Sequence, residues 1–315
     1  MKISVLEPLG IPEKMLVKKI RQATGSTPQL VCYDDRKEDE ASLIARSKDA
    51  DIVVLSNIRY SESVLEHCPY LKLICVAFTG VDHIDLDYCK ARGITVCNCA
   101  GYSTVAVADL VFALVLDLAR NILDCDKACR TSGTKNGLVG FELEGKKFGI
   151  IGLGAIGTRV AEIANAFGCE VYTYTRTKKE VANVTFCNLD TLLNTCDIIS
   201  IHVPQNSDTI GMIGKRELSL MKSSALLINT ARGPIVDMEA LSEALTDGTI
   251  AGAGIDVFAM EPPIPEDYPL LHAPHAIVTP HIAFATTQAF EKRADIIAEN
   301  LRQWLHGTPV NVIVR

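Results

Sequence analysis

Short apolar runs alternate along this chain with stretches whose apolar positions recur at helical spacing. Residues 3–6, 30–33, 52–55, 71–78 and 94–97 predict five strands. Between them, residues 13–23 (behind Pro12, suited to a first helical turn), 40–47, 61–67 and 86–92 predict helices, the last closed by Gly93. Strand and helix in strict alternation predict a small parallel α/β domain. The next segment, 103–120, is the longest apolar helical stretch. On pattern alone it reads equally as an inter-domain or inter-subunit helix and as an ordinary buried one.

A second alternating set follows a polar, glycine-containing stretch at 131–145. Strands are predicted at 148–151, 170–175, 198–203, 225–229, 254–258 and 277–279. Helices are predicted at 189–194, 215–221, 238–246 (with Gly248 after it) and 286–305. This set predicts a doubly wound sheet. The boundaries fall in the loops near 98–101 and 281–283, giving one domain of residues 1–99 with 283–315 and another of 100–282. The last helix then returns to the first domain.

The second set opens on Gly152-Leu153-Gly154-Ala155-Ile156-Gly157, between a strand and a helix. In that context the first glycine allows the tight turn and the second lets a pyrophosphate approach the backbone. The third, Gly157, lets helix and strand pack closely. The helix N-terminus then offers unpaired N–H groups to the phosphates. Elsewhere the same glycines would mark only a turn.

In a dinucleotide fold an acid about 20 residues on, at the end of the second strand, takes the ribose hydroxyls. Here the strand ends in Thr175-Arg176-Thr177-Lys178-Lys179, with no carboxylate. A hydroxyl, a guanidinium and two ammonium groups suit a 2′-phosphate, so the reading favours NADP(H) over NAD(H).

Composition narrows the functional classes. The 315 residues are 48% hydrophobic and 22% charged, with a net charge of −7, which offers no basic surface to nucleic acid. No apolar run reaches the length of a membrane span and the N-terminus reads as a strand, so a cytoplasmic protein is expected. The eleven cysteines lack the spacing of a zinc site, and reduced, mostly buried thiols are expected, with no metal.

Three chemically capable residues stand just past predicted strands: Arg232 in Asn229-Thr230-Ala231-Arg232-Gly233, Glu261 in Asp256-Val257-Phe258-Ala259-Met260-Glu261-Pro262, and His281 in Thr279-Pro280-His281-Ile282-Ala283. Singly, each has a bland alternative as a surface cation, a loop carboxylate or a satisfied histidine. Together with Thr79-Gly80-Val81-Asp82 and the glycine turn, they make five ordered motifs. In these the chain resembles the D-isomer-specific 2-hydroxyacid dehydrogenase family over nearly its whole length.

The resemblance implies an α/β protein of two doubly wound parallel-sheet domains: a Rossmann dinucleotide-binding domain and a flavodoxin-like substrate (catalytic) domain. It implies that His281 is acid in reduction and base in oxidation, a role suited to an unperturbed imidazole pKa of about 6.5. Glu261 would hold the other ring nitrogen. Arg232 would bind the substrate carboxylate and polarise its carbonyl, with backbone N–H groups at Thr79 and Gly80 on the carboxylate's other side. Asp256 would accept from the nicotinamide carboxamide. Val203, Thr209, Thr230, Ala231 and Ala283 would line the cofactor cleft, while His202 and His83 are structural. A homodimer through the 103–120 region is also implied. The runs 97–104 and 281–285, with Phe284 after His-Ile-Ala, look most like the glycerate dehydrogenase and hydroxypyruvate reductase branch. A D-lactate-type or bulkier 2-oxo acid reductase remains the alternative, and a dinucleotide-sensing corepressor is a third reading, disfavoured by a chain that ends soon after its closing helix. A formate dehydrogenase is disfavoured because that branch pairs its histidine with an amide.

Overall fold

A computed structural model describes residues 1–25, 28–177 and 181–315. The described residues hold thirteen strands: β1 (Lys2–Val5), β2 (Gln29–Cys32), β3 (Ile52–Leu55), β4 (Leu73–Val76), β5 (Thr95–Cys97), β6 (Lys147–Ile151), β7 (Glu170–Tyr174), β8 (Val184–Phe186), β9 (Ile198–Ile201), β10 (Leu226–Asn229), β11 (Gly252–Ile255), β12 (Ala276–Val278) and β13 (Val312–Val314). The chain divides into two compact units, Met1–Ser103 with Ala285–Arg315, and Thr104–Phe284.

The first unit carries a six-stranded sheet in the order β2-β1-β3-β4-β5-β13. Its first five strands are parallel in the flavodoxin-like order, and β3 and β4 are buried at every position, which is why they read as unbroken apolar runs. The sequence reading leaves residues past the closing helix unassigned. In the structure, β13 runs antiparallel to β5, pairing Val312 with Cys97 and Val314 with Val96, and covers an edge that would otherwise present unpaired backbone groups. Helix Thr287–Leu305 starts on Thr286, whose hydroxyl accepts from the Ala289 N–H, and buries Ala289, Arg293, Ala294, Ile297, Ala298, Asn300 and Leu301.

The second unit carries a seven-stranded, all-parallel sheet in the order β8-β7-β6-β9-β10-β11-β12. This is the Rossmann order with one strand added, and its switch point lies between β6 and β9. Helix Thr104–Arg120 belongs to this unit. Its Val111, Phe112, Leu114 and Val115 share a core with Phe148, Ile150, Ile198 and Ile228, and the Phe112 ring stacks on Phe148 at 5.6 Å. Of the two readings of that segment, the buried helix describes its inner face, while Val105 remains exposed. Helix Ile122–Arg130, which has no buried residue, and the short β8 both escape pattern reading because neither carries an apolar run of its own.

Candidate active site

The cofactor-side residues surround the switch point. Gly152 leaves β6 at φ +98°, and a Cβ there would lie 2.7 Å from the His202 carbonyl and 2.8 Å from Val203 Cγ1. The turn therefore lies directly on the residues leaving β9. Gly154 is the N-cap residue of helix Ala155–Ala166, so Ala155 and Ile156 occupy its first two positions with N–H groups outside the helical ladder. A Cβ on Gly154 would meet nothing within 4 Å among the described residues, whereas one on Gly157 would stand 2.1 Å from the Gly152 carbonyl oxygen. The second glycine leaves open space; the third lies against backbone. The Thr230 hydroxyl, beyond β10, is buried with no hydrogen-bond partner among the described residues, the polar remnant expected where a cofactor group completes a cleft.

Thr175, Arg176 and Thr177 leave β7. Arg176 and Thr177 are exposed, and Arg176 makes no ion pair among the described residues. Lys178 and Lys179, part of the same basic turn, lie outside the described residues. Val203 is half-buried. Thr209 is buried, but its hydroxyl donates to the Pro204 carbonyl at 2.6 Å and accepts from Asn206 N–H, so it shapes its own loop. His202 also serves the fold. Its Nε2 lies 2.8 Å from Ser200 Oγ, and burial pushes the ring down to about 3, keeping it neutral although part of the residue reaches solvent.

The three chemical side chains leave the carboxyl ends of three adjacent strands. Asn229 pairs with Ile255, and Ile255 with Val278, so β10, β11 and β12 deliver their following loops to one edge. Asn229, fully buried, holds the Arg232 turn by accepting from the Ala231 N–H at 3.0 Å and donating to the Arg232 carbonyl at 2.9 Å. Gly233 then rests against the next loop: a Cβ there would be 2.0 Å from the Phe258 carbonyl carbon and oxygen. That next loop carries Glu261.

Asp256, at 0% exposure, joins this loop to the third. Its carboxylate accepts from Thr279 Oγ1 (2.6 Å), Ile282 N–H (2.8 Å) and Ala283 N–H (2.8 Å). Burial holds its pKa above the usual carboxylate value, although those three hydrogen bonds act the other way. Three of roughly four lone-pair sites are thus taken by the His281 turn. Asp256 is first an anchor, a role that sequence reading did not assign. His281 itself sits at φ +56°, and its N–H donates to the Asp256 and Thr279 carbonyls, an arrangement that over-determines an uncommon backbone conformation. Its Nδ1 lies 3.1 and 2.9 Å from the two Glu261 carboxylate oxygens, with the imidazole only 11% exposed and the carboxylate 44%. Nδ1 is thereby engaged by the carboxylate. The Phe284 ring stands edge-on to the imidazole at 5.3 Å.

In the first unit, Thr79 and Gly80 follow β4, and the Thr79 carbonyl accepts from Asn98 Nδ2 at 2.7 Å. All eleven cysteines are free and seven are buried; burial pushes the Cys89, Cys97 and Cys196 thiols up to about 12, away from thiolate reactivity. Among the described residues no helix is long and apolar enough to cross a membrane, and no group of His, Cys, Asp and Glu is placed to hold a metal.

Residues 112–283 match the family model described as D-isomer specific 2-hydroxyacid dehydrogenase, NAD binding domain. The chain is 39% identical to the glyoxylate reductase of Thermococcus litoralis over 89% of this chain and 88% of that one. It is 33% identical to the hydroxypyruvate reductase of Blautia hydrogenotrophica over 99% of each. An acyclic imino acid reductase solved in complex with NADPH and D-Arg superimposes over 100% of both chains, with a TM-score of 0.92 at 34% identity. The nucleotide-binding turn, the histidine–carboxylate pair and this likeness agree: the chain belongs to the D-isomer-specific 2-hydroxyacid dehydrogenase family and uses a nicotinamide cofactor.

Proposed function

We propose that this enzyme reduces small 2-oxo acids, with hydroxypyruvate and glyoxylate as preferred substrates and D-glycerate and glycolate as products. The observation that carries the proposal is the two-oxygen contact of Glu261 on His281 Nδ1. A carboxylate there fixes the ring's orientation, and Nε2–H donates to the substrate carbonyl oxygen as it becomes a hydroxyl. The nicotinamide, when bound, supplies the hydride. Arg232 binds the substrate carboxylate through its planar fork and draws electron density from the adjacent carbonyl. Thr79 and Gly80 N–H groups serve the same carboxylate.

Gly152 and Gly157 shape the turn, Gly154 lets the pyrophosphate approach the Ala155 and Ile156 N–H groups, and Val203, Thr209, Thr230, Ala231 and Ala283 line the cleft. The fourth lone-pair site of Asp256 takes the carboxamide. Thr175, Arg176 and Thr177, standing where an acid would select NAD(H), favour NADP(H). Exposed Val105, Ile122 and Leu123 support a homodimer, and the cysteine usage supports a cytoplasmic setting.

The test is a panel of 2-oxo acids assayed with NADH and NADPH in parallel. Because the imino acid reductase is similar over the whole length, the panel includes the same acids with ammonium or methylamine. Turnover of hydroxypyruvate or glyoxylate, abolished in His281→Ala while cofactor still binds, is the expected result. Wild-type rates in that variant would remove the imidazole from the chemistry. Arg176→Ala should weaken NADPH far more than NADH; equal losses would reject the 2′-phosphate role.

A further inference from the structure

One guanidinium at the carboxyl edge of the first unit's sheet has no part in the reading above. Arg293 lies on the inner face of helix Thr287–Leu305 and is 3% exposed. In the sequence Phe290-Glu291-Lys292-Arg293 it looks like one more solvated charge. Burying it is costly unless its donors are used. Nη1 donates to the Ala77 carbonyl at 3.2 Å and Nη2 to the Leu9 carbonyl at 2.5 Å. The rings of Phe290 and Tyr102 lie 4.8 and 5.5 Å from the guanidinium carbon. Gly10 (φ +73°) makes room for the Phe290 ring, which would stand 2.8 Å from a Cβ there.

The two carbonyls belong to the chain leaving β1 and β4. In the order β2-β1-β3-β4-β5 the switch point falls between β1 and β3, and a ligand of such a sheet sits outside the carboxyl ends of its strands. Ala77 is two residues before Thr79. The same helix reaches this turn a second time: Asn300 Nδ2 donates to the Asn98 carbonyl at 2.8 Å, and Asn98 Nδ2 donates to the Thr79 carbonyl at 2.7 Å. Helix Thr287–Leu305 therefore braces the Thr79–Gly80 turn from both flanks.

We infer that Arg293 is a positioning residue for substrate binding. It fixes the chain entering the Thr79–Gly80 turn through the Ala77 carbonyl and ties it to the loop after β1 through the Leu9 carbonyl. The inference rests on the proposed assignment of Thr79 and Gly80 to the substrate. Lysine cannot replace it fully, because a single ammonium lacks the planar fork that spans two carbonyls.

The experiment measures oxalate, an unreactive analogue of a 2-oxo acid carboxylate, binding by calorimetry to the NADPH-loaded protein, with steady-state kinetics and cofactor titration alongside. Losing hydrogen bonds to a charged group predicts that Arg293→Met weakens oxalate and raises the 2-oxo acid KM about tenfold. Cofactor affinity should stay within about twofold, and Arg293→Lys should fall between wild type and the methionine variant. A purely structural role would lower the melting temperature and the active fraction while leaving KM and oxalate affinity unchanged, and that result in a folded variant overturns the inference. If the methionine variant does not fold, the lysine variant decides by the same two constants. Failure of wild type to bind oxalate also overturns it. A wild type that binds oxalate but reduces no 2-oxo acid contradicts the proposed function instead.

Discussion

The three glycines of the nucleotide turn can be separated by adding one methyl group to each. Gly157→Ala places a Cβ 2.1 Å from the Gly152 carbonyl oxygen, where real contacts do not fall below 3.0 Å. Helix Ala155–Ala166 must therefore move by about 0.9 Å from the turn that feeds it. Overpacking of this kind costs about 1–3 kcal/mol or more when the obstacle is backbone. Gly152→Ala adds a left-handed penalty of roughly 1–2 kcal/mol to its 2.7 Å contact with the His202 carbonyl. Gly154→Ala meets nothing within 4 Å among the described residues and should leave stability within about 0.5 kcal/mol. On the proposed reading, what it fills is the approach of the pyrophosphate. Chemical denaturation of the three variants, with fluorescence titration of NADPH and NADH, should therefore show Gly157→Ala and Gly152→Ala destabilised. Gly154→Ala should be as stable as wild type but bind both cofactors at least about tenfold more weakly. Equal loss of stability in all three, or unchanged cofactor affinity in Gly154→Ala, would refute this division of roles.

Glu261→Gln keeps the shape of the carboxylate but loses the charge-assisted contact with His281; kcat for 2-oxo acid reduction should fall about tenfold or more with cofactor affinity unchanged, and a kcat within about twofold of wild type would sink the pairing. Gly233→Ala drives a Cβ into the Phe258 carbonyl, so it should lower the melting temperature and impair substrate binding through Arg232; a variant that melts like wild type would show that these turns yield freely. His202 is held neutral, with its pKa pushed down to about 3, while the unfolded ring titrates at about 6.5. Its contribution is complete above about pH 6.5 and is lost as pH falls toward about 3, at no more than about 1.4 kcal/mol per pH unit. His202→Asn should flatten the fall of melting temperature between about pH 6.5 and 4; an unchanged slope would assign acid lability elsewhere.

Much of the molecule is legible in the sequence because its signals are local. A glycine turn between an apolar run and a helix needs only adjacent residues, and strands buried on both faces read as Val and Ile runs. Arg232, Glu261 and His281 stand out because each follows a strand. What holds them does not. Asn229 acts through two bonds within its own turn, and Asp256 through three bonds to the neighbouring loop that the sheet order brings near. In the first unit, likewise, Asn98 reaches the Thr79 carbonyl only in the fold, and Arg293 looks like any charge on a helix until its partners Leu9 and Ala77, more than two hundred residues away, are known. The strand β13 is hidden for the same reason: Val312 and Val314 form an edge only because β5 is there to receive them.

The first unit is built from both extremes of the chain, and this fixes an order of events during synthesis. Residues 104–284 emerge from the ribosome before helix Thr287–Leu305 and β13 exist, so the nucleotide unit can fold while its neighbour still lacks the guanidinium and the edge strand that finish it. Until then the nascent β5 edge and the apolar bed awaiting that helix are open to other chains, and holdase chaperones should engage a released chain truncated before residue 287 more strongly than the released 315-residue chain.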